Sequence, residues 1–316
     1  MSKPIKIGVS ACLLGEKIRP GGSHARSNYL TQTLSKHVEF IPLCPEMACG
    51  MGINREKVRQ VQCSDDIRLI AHETGEDWTE RMDSWCSHLL PGLEEDELSG
   101  FILKNNSPSC ALKMGKIYDT TGKSPRHGQG FFTTRLAAHF PLLPLESDEG
   151  LKNPILRENF IHRIYVLDRW HTFMKRGGQI GHLVDFHTRH KLLVMAHSPD
   201  AYRELGRMLA RLDNADLDAL AGRYINRLME VLNAQASRKR HVNVLQHVLG
   251  YLRKHVDAAN RADLVDVIDD YRRGVVPLVV PVTLLKHHFR RSPNSYISQQ
   301  VYMDPHPREL MLRNML

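Results

Sequence analysis

The chain has 316 residues, with 43 Lys and Arg against 35 Asp and Glu, and its composition of 42% hydrophobic and 25% charged residues is typical of a globular protein. This length predicts two domains, and the composition excludes wholesale disorder. No apolar run approaches the roughly 20 residues that would span a bilayer, and the first residues do not resemble a secretion signal. We therefore expect a soluble, cytoplasmic protein with no membrane partner.

Charge, cysteine and histidine are distributed unevenly along the chain. Residues 1–155 carry a net charge of −1, whereas residues 156–316 carry +9. All six cysteines lie in the first 110 residues, and 12 of the 18 histidines lie in the second half. The first half is therefore suited to thiol or metal chemistry, and the second to binding an anion.

Short apolar runs alternate with amphipathic segments in the first half. The predicted strands cover residues 5–10, 39–44, 68–72 and 100–103. The predicted helices cover residues 23–37, 74–90 (closed by Pro91 and Gly92) and 131–140. This alternation predicts a Rossmann-like α/β domain with a mostly parallel sheet.

Helical spacing of apolar residues dominates the second half. An acidic, turn-rich segment at 146–154 predicts the boundary between a domain at 1–150 and a second domain at 151–316. Helices are predicted over 154–177 (ending near Gly177 and Gly178), from 199 onward, and over 213–234, 238–256 and 262–271. The β-branched stretch 275–281 is an exception, although its prolines argue against a central strand. The second domain is predicted to be all-α.

Three cysteines fall at the ends of three predicted strands. Cys12 follows the first strand, Cys44 closes the second, and Cys110 lies just beyond the strand at 100–103. Because the carboxyl ends of parallel strands share one edge of a sheet, these cysteines should converge there. They lack the paired Cys-x-x-Cys spacing of a zinc ribbon.

Two interpretations of these cysteines remain open from position alone. Three thiolates suit a soft metal, and an iron–sulfur cluster held by only three of them keeps one iron open to substrate. Free cysteines are also common as small buried apolar residues, which is how we interpret Cys49, Cys63 and Cys86. A disulfide framework is not expected in a chain of this size without a secretion signal.

Four motifs of the first half resemble the thiouracil desulfidase (TudS-type) domain. They are Val9-Ser-Ala-Cys-Leu-Leu-Gly15, Leu43-Cys-Pro-Glu46, Gly50-Met-Gly52 with Arg55-Glu56, and Gly100-Phe-Ile-Leu-Lys104 to Ser107-Pro-Ser-Cys110. The second half resembles the YbgA-like helical domain through Leu183-Val-Asp-Phe-His187, His190-Lys191, Met195-Ala-His197, Tyr202-Arg203 and Leu205-Gly-Arg207. Together the halves resemble fused desulfidases that remove sulfur from thiolated tRNA, with 4-thiouridine the favoured target.

The resemblance implies a 4Fe–4S cluster held by Cys12, Cys44 and Cys110, with an open iron for the substrate sulfur. It also implies that Glu46 and Ser107 assist catalysis. The sequence departs from the family pattern twice, with Ala111 in place of the usual glycine and Arg19-Pro-Gly-Gly22 in place of the usual Arg-Tyr-Asp-Gly.

Replacing a thiocarbonyl sulfur with oxygen requires water, a base and an acceptor for the departing sulfide. A thiophilic iron would polarise the carbon–sulfur bond without net redox. A carboxylate two residues from a ligand, Glu46, could activate the water, and Ser107 could hydrogen-bond the water or the base. The alternatives are a supporting carboxylate or helix N-cap for Glu46, and a turn residue before Pro108 for Ser107.

The basic second half predicts contacts with RNA phosphates. The candidate residues are Arg189, Lys191, Arg238, Lys239, Arg240, Arg290 and Arg291. Any one of them could instead lie on a solvated helix face. His187, His190 and His197 are expected to contact RNA or support the structure rather than hold a metal, because only Asp185 could add an acidic ligand.

We therefore predict an iron–sulfur-dependent tRNA thiouridine desulfidase, with no sign of an obligate protein partner. One alternative is a salvage desulfidase acting on free thiouracil. The other is a non-catalytic RNA-binding or iron–sulfur sensor protein.

Overall fold

Strands and helices alternate through the first part of the chain, whereas the second part is helical. The protein is described by a computed structural model over residues 4–64, 66–123, 126–177, 179–210 and 217–315. It forms two units, Met1–Asn153 and Pro154–Leu316. The strands of the first unit are β1 (Ile5–Ser10), β2 (Val38–Leu43), β3 (Val58–Cys63), β4 (Asp66–Ala71), β5 (Phe101–Leu103), β6 (Gly115–Tyr118), β7 (Arg126–Gly128) and β8 (Leu145–Ser147). Its helices are α1 (Pro45–Ala48), α2 (Thr79–Glu95) and α3 (Phe131–His139).

The first sheet has the order β2-β1-β5-β8, and all its strands are parallel. Ile7 and Val9 of the inner strand β1 are fully buried, as expected for a parallel strand covered on both faces. At Gly8 a Cβ atom would lie 2.2 Å from the Phe101 ring of β5, so only glycine allows this pairing. The parallel α/β fold predicted for the first half is confirmed.

A second sheet, which the sequence analysis did not anticipate, has the order β4-β3-β6-β7. Strands β3 and β4 form an antiparallel hairpin, β6 pairs parallel with β3, and β7 pairs antiparallel with β6. The strand predicted at 68–72 belongs to this sheet as β4 and not to the parallel sheet.

Two helix predictions in the first unit were wrong in extent. Residues 23–37 form a π turn at Tyr29–Thr33 and a 3₁₀ turn at Leu34–Lys36 instead of one long helix. Helix α2 starts at Thr79 and continues through Pro91 to Glu95. Its buried residues Met82, Cys86, Leu90 and Leu93 keep helical spacing past the proline, so packing offsets the lost backbone hydrogen bond.

The described residues of the second unit are mainly helical, as predicted. The helices are α4 (Pro154–Lys175), α5 (Ile180–His197), α6 (Pro199–Ala210), α7 (Leu217–Asn233), α8 (Arg238–Tyr251), α9 (Ala258–Arg273), α10 (Val279–Arg291) and α11 (Ser295–Ser298). The predicted start of the helix at 213 and the predicted stop at Gly178 lie outside the described residues. Pro281 falls in the first turn of α10, where a missing N–H costs little, so the stretch at 275–281 leads into a helix.

Helix α5 supplies much of the core of the second unit. Leu192, Leu193, Val194 and Ala196 are at most 1% exposed. The Gln300 side chain accepts a hydrogen bond from the Leu192 N–H and donates to the Thr188 carbonyl, which fixes the C-terminal segment against α5. Among the described residues, no helix has the length and apolarity needed to cross a bilayer.

Candidate functional site

Three cysteines follow the three neighbouring strands β2, β1 and β5. Cys44 comes directly after β2, Cys12 lies in the 3₁₀ turn Ala11–Leu14 after β1, and Cys110 lies in the loop after β5. Because these strands are parallel and adjacent, their carboxyl ends bring the three thiols to one edge of the sheet. All three cysteines are free, and Cys12 and Cys110 are buried.

The loop that carries Cys110 is closed by Ser107. The Ser107 Oγ atom accepts hydrogen bonds from the backbone N–H groups of Ser109 (3.2 Å) and Cys110 (3.1 Å). The Ser10 hydroxyl, at the end of β1, accepts the Lys104 N–H at 3.0 Å and also hydrogen-bonds the Cys110 thiol. The turn role considered for Ser107 is thus present in the structure.

Gly130 fixes the same loop from the other side. Its N–H donates to the Ala111 carbonyl at 2.7 Å, and a Cβ atom there would lie 2.4 Å from the Ser109 carbonyl oxygen. The start of α3 therefore lies directly against the backbone on either side of Cys110.

Substituting Gly130→Ala should lower the free energy of unfolding by about 1–3 kcal/mol, because the backbone around Cys110 must move to admit the methyl group. Urea unfolding of the full chain measures this loss. Gly92→Ala is the matched control, since nothing lies within 4 Å of its Cβ position in α2. The control should be neutral or stabilising by about 0.4–1 kcal/mol. Equal stability of Gly130→Ala and the parent protein would contradict the close packing.

Glu46 lies among the three thiols. One carboxylate oxygen, Oε2, accepts from the Cys44 Sγ at 3.4 Å, and the other, Oε1, accepts from the Ser107 hydroxyl at 3.4 Å. The Arg55 Nη2 lies 3.8 Å from Glu46 Oε2, and the two side chains are only 7% and 12% exposed. Sequence-predicted Glu46 and Ser107 are therefore in contact, with Arg55 balancing the carboxylate charge.

Arg55 and Lys104 are site residues that the sequence analysis did not single out. Arg55 is held by a 2.6 Å hydrogen bond from Nη1 to the Gly52 carbonyl, in a loop that positive φ angles at Gly50 and Gly52 allow to turn. Lys104 is paired with Asp148 at 2.8 Å. Arg55 belongs to a quoted motif, but sequence alone does not show which carboxylate it faces.

The electrostatics of the three thiols follow from their burial. Burial, reinforced by the Glu46 carboxylate, raises the pKa of Cys12 to about 11 and that of Cys44 to about 12. Burial and then Glu46 raise the pKa of Cys110 well above its ordinary value, and the neighbouring Cys12 and Cys44 sulfurs raise it further. The thiols are therefore protonated at neutral pH and would lose their protons on binding a metal.

A cavity of about 580 Å³ opens beside the thiols. Its lining includes all three cysteines, Glu46 and Ser107, and also the basic residues Arg19, Arg55, Lys57 and Lys104. Cavities of this size hold small ligands. The excess of basic side chains suits a cavity that must stabilise thiolates or other negative charge.

The donor set suits a soft metal centre. Cys12, Cys44 and Cys110 are free thiols that line one open cavity. Soft thiolate ligands of this kind are the ones that iron–sulfur clusters take.

Both departures from the family pattern have a structural explanation. The φ angle of Ala111 is not positive, so an alanine is accommodated at this position without strain. Arg19 and Pro20 line the cavity, so that segment contacts the cavity with an arginine and a proline and without the family's Tyr and Asp.

The histidines of α5 are structural. His187 Nδ1 hydrogen-bonds the Tyr224 hydroxyl at 3.1 Å, His190 Nδ1 donates to the Phe186 carbonyl at 2.7 Å, and His197 Nδ1 donates to the Ala234 carbonyl at 2.6 Å. All three are at most 3% exposed, so they do not present themselves to RNA. Among the described residues, none of these three histidines belongs to a group of three or more potential ligand side chains whose ligand atoms lie within 4.8 Å of one another.

The buried histidines predict acid sensitivity. Burial lowers the pKa of His187 to about 4 and that of His190 to about 3, against about 6.5 in an unfolded chain. They are neutral when folded and take up protons on unfolding, so stability should fall as the pH decreases from about 6.5 towards 3. His190→Leu should reduce the slope of the free energy of unfolding against pH by up to about 1.4 kcal/mol per pH unit. Denaturant unfolding measured across that pH range gives the slope. His182→Gln, an exposed site on α5, should leave the slope unchanged. Identical slopes in all three proteins would contradict the prediction.

The predicted RNA contacts occupy different environments. Arg189 pairs with Asp185 at 2.8 Å, while Arg238 and Arg240 donate to the carbonyls of Tyr271 and His197. Lys191 is half-buried, and the remaining candidates Lys239, Arg290 and Arg291 are exposed. Arg238 and Arg240 thus also hydrogen-bond backbone carbonyls near the C-terminal ends of α9 and α5.

Comparisons with known proteins divide the chain in the same way. Residues 7–148 match the 2-thiouracil desulfurase family model, and residues 191–307 match a family described as a protein of unknown function, DUF1722. The uncharacterized protein YbgA of Escherichia coli (strain K12) is 38% identical over 153 residues, which cover 48% of this chain and 90% of YbgA.

Two further relatives are each similar to less than half of the chain. The uncharacterized protein YbbK of Bacillus subtilis (strain 168) is 33% identical over 118 residues, covering 36% of this chain and 76% of YbbK. A solved structure of the [4Fe-4S]-dependent thiouracil desulfidase TudS is 28% identical and covers 47% of this chain and 93% of that protein, at a TM-score of 0.39. The chain therefore belongs to the 2-thiouracil desulfurase family, and its helical part to the YbgA-like DUF1722 family.

Proposed function

We propose that this protein is an iron–sulfur-dependent desulfidase that replaces the sulfur of a thiolated uridine in tRNA, with 4-thiouridine favoured, by oxygen. The observation that carries the proposal is the convergence of three free thiols and Glu46 on one cavity at the edge of the parallel sheet. Membership of the 2-thiouracil desulfurase family supports the desulfidase part.

Cys12, Cys44 and Cys110 would hold a 4Fe–4S cluster through their thiolates. When bound, such a cluster supplies a thiophilic Lewis acid that polarises the carbon–sulfur bond and accepts the departing sulfide. Arg19 and Lys104 favour the Cys12 thiolate, and Arg55 favours the Cys44 thiolate, since each lowers the pKa of its thiol against the effect of burial.

Glu46 is positioned to take the proton of the attacking water. In the overall reaction a carbon–oxygen bond forms, the carbon–sulfur bond breaks, and the sulfur leaves as hydrogen sulfide without net oxidation. The Ser107 hydroxyl donates to Glu46 Oε1, and Arg55 lies near Oε2, so the carboxylate is oriented from both sides. An oriented carboxylate of this kind typically contributes about 10²–10⁴-fold as a general base.

The charge of the helical part supports an RNA substrate. Residues 156–316 carry a net charge of +9, and Lys239, Arg290 and Arg291 are exposed. Basic surfaces of this kind bind the phosphate backbone and release counterions.

The test is anaerobic turnover by the cluster-reconstituted full chain, followed by loss of the thiocarbonyl absorbance of 4-thiouridine in tRNA. We expect catalytic loss of that absorbance and release of sulfide. An unchanged band with an intact cluster would overturn the tRNA substrate. Free thiouracil is assayed in parallel to distinguish the two alternatives. Turnover of free thiouracil would indicate a base-salvage enzyme, and no turnover of either substrate would indicate a non-catalytic sensor.

Binding of tRNA should weaken steeply with added salt. The double substitution Arg290→Gln with Arg291→Gln should lower affinity similarly for all tRNAs and reduce the slope of log affinity against log salt by about 1–2. Fluorescence anisotropy of labelled tRNA measures both quantities. Arg203→Gln is the matched control, because Arg203 is already paired with Asp200 at 2.8 Å and its loss should change the slope little. Salt-independent binding would exclude a phosphate-directed surface.

A further inference from the structure

Two histidines and a glutamate that have no role in the proposed function meet in the interior of the helical unit. Glu158 and His162 lie one turn apart on α4, and His306 comes from the segment after α11. Their ligand atoms all lie within 4.8 Å of one another, and both Glu158 and His162 are buried. This is the only such group of three in the described residues.

The facing atoms converge without bonding to each other. His162 Nε2 lies 3.3 Å from Glu158 Oε1, yet it has no hydrogen-bond partner and is buried. Two ligand atoms that share a tetrahedral ion at about 2.1 Å lie about 3.4 Å apart. The observed separation of 3.3 Å is close to that distance.

His306 presents a free lone pair to the same group. Its Nδ1 donates to the Pro307 carbonyl at 3.1 Å, which leaves Nε2 unprotonated, buried and without a hydrogen-bond partner. The His306 ring stacks on His162, with ring centroids 5.2 Å apart. Metal-binding histidines characteristically donate their second ring nitrogen to a backbone carbonyl in this way.

A cavity reaches the group from one side. It has a volume of about 150 Å³ and is lined by Glu158 and His162 together with Asn159, His197 and His241. This is ample for several waters, which need about 10–15 Å³ each by this kind of measure. An ion would therefore have an entry path and room for a water in an open coordination position.

Arg313 neutralises the glutamate when no ion is bound. Its Nε lies 3.3 Å from Glu158 Oε1, and its Nη1 donates to the Tyr302 carbonyl at 2.8 Å. A carboxylate has enough lone pairs to serve both a guanidinium and a metal. The positive charge of Arg313 should nevertheless lower the affinity for a cation, so moderate rather than extreme affinity is expected.

We propose that Glu158, His162 and His306 form a binding site for one divalent transition-metal ion in the helical unit. Two imidazoles and one carboxylate suit Zn²⁺, Fe²⁺ or Co²⁺, and exclude Ca²⁺ and Mg²⁺, which take oxygen ligands. A bound ion would tie the segment carrying His306 to α4. The site is independent of the three cysteines.

The test uses the full chain, stripped of metal under anaerobic conditions and titrated with Co²⁺ while the visible spectrum is recorded. Cobalt bound by the cysteines shows intense thiolate charge-transfer bands. Cobalt bound by nitrogen and oxygen ligands shows only weak ligand-field bands, so the two sites are distinguished in one protein. We expect one equivalent of the second kind, and a rise of the midpoint of thermal unfolding on adding Zn²⁺.

His306→Gln and Glu158→Gln should each weaken this binding at least about a hundredfold and remove the contribution of this site to the Zn²⁺-dependent rise. His182→Gln, at an exposed histidine of α5, should change neither. The same ligand-field bands in His306→Gln and in the parent protein would overturn the assignment. If the variants fail to fold, the titration of the parent protein still tests the site. A parent protein whose bound cobalt shows only thiolate charge-transfer bands would exclude it.

Discussion

Replacing Cys110 with serine should abolish both desulfuration and cluster incorporation. Cys110 is the most buried of the three converging thiols, and Ser107 and Ser10 hydrogen-bond its backbone N–H and its thiol. A serine hydroxyl is a poor ligand for iron compared with a thiolate. Iron and sulfide content and visible absorbance of the reconstituted protein, together with thiocarbonyl turnover, measure the effect.

Cys63→Ser is the matched control for this prediction. Cys63 ends strand β3 in the other sheet, opposite Asp66, and does not line the cavity. The control should retain full cluster content and activity. Turnover surviving in Cys110→Ser would remove the three-thiolate centre from the proposed function, whereas equal losses in both variants would indicate a general requirement for cysteine.

Substituting Glu46→Gln should lower the turnover number by about 10²–10⁴-fold while the cluster is retained. Glutamine keeps the shape of the side chain and can still accept from the Ser107 hydroxyl, but it cannot take a proton from water. Turnover should fall without a comparable loss of iron, because Glu46 contacts the Cys44 thiol and is not itself one of the three soft ligands.

Glu56→Gln separates a catalytic carboxylate from a general effect of charge. Glu56 lines the same cavity, but its carboxylate accepts hydrogen bonds from the Glu73 N–H and from the Thr74 N–H and hydroxyl. Its substitution should cost far less turnover than that of Glu46. A Glu46→Gln protein with normal turnover would exclude Glu46 as the base, and equal losses in the two variants would point to cavity charge instead.

The convergence of the cysteines was predictable because it depends only on strand direction. Cys12, Cys44 and Cys110 each follow an apolar run of strand length, and parallel strands necessarily end at one edge. The helical second half was predictable for a similar reason, since apolar spacing along one helix is a local property.

Local signals failed where distant packing decides the conformation. Pro91 and Gly92 predicted the end of α2, but Leu93 is 3% exposed and its burial carries the helix onward. Residues 126–128 pair as β7 with β6, and no apolar alternation in Arg126, His127 and Gly128 announces a strand. Whether a short edge segment of this kind forms a strand depends on the strand with which it pairs.

Side-chain partnerships across the chain were likewise invisible in the sequence. Arg55 faces Glu46 only because the glycines of its loop take positive φ angles. Glu158 and His162 have helical spacing, but their partner His306 lies at the far end of the helical unit. A single sequence shows which residues are present, but it does not show which distant side chains come into contact in the folded protein.

The strand order β2-β1-β5 also dictates when the cysteine centre can be assembled. Each thiol is placed by hydrogen-bonded strand pairing between segments that lie far apart in the chain, so the centre exists only after those long-range contacts have formed. Zinc fingers behave in the opposite way, because the metal there drives folding. If the three cysteines hold the proposed cluster, it would be loaded onto an already folded domain, through the cavity that the three thiols line.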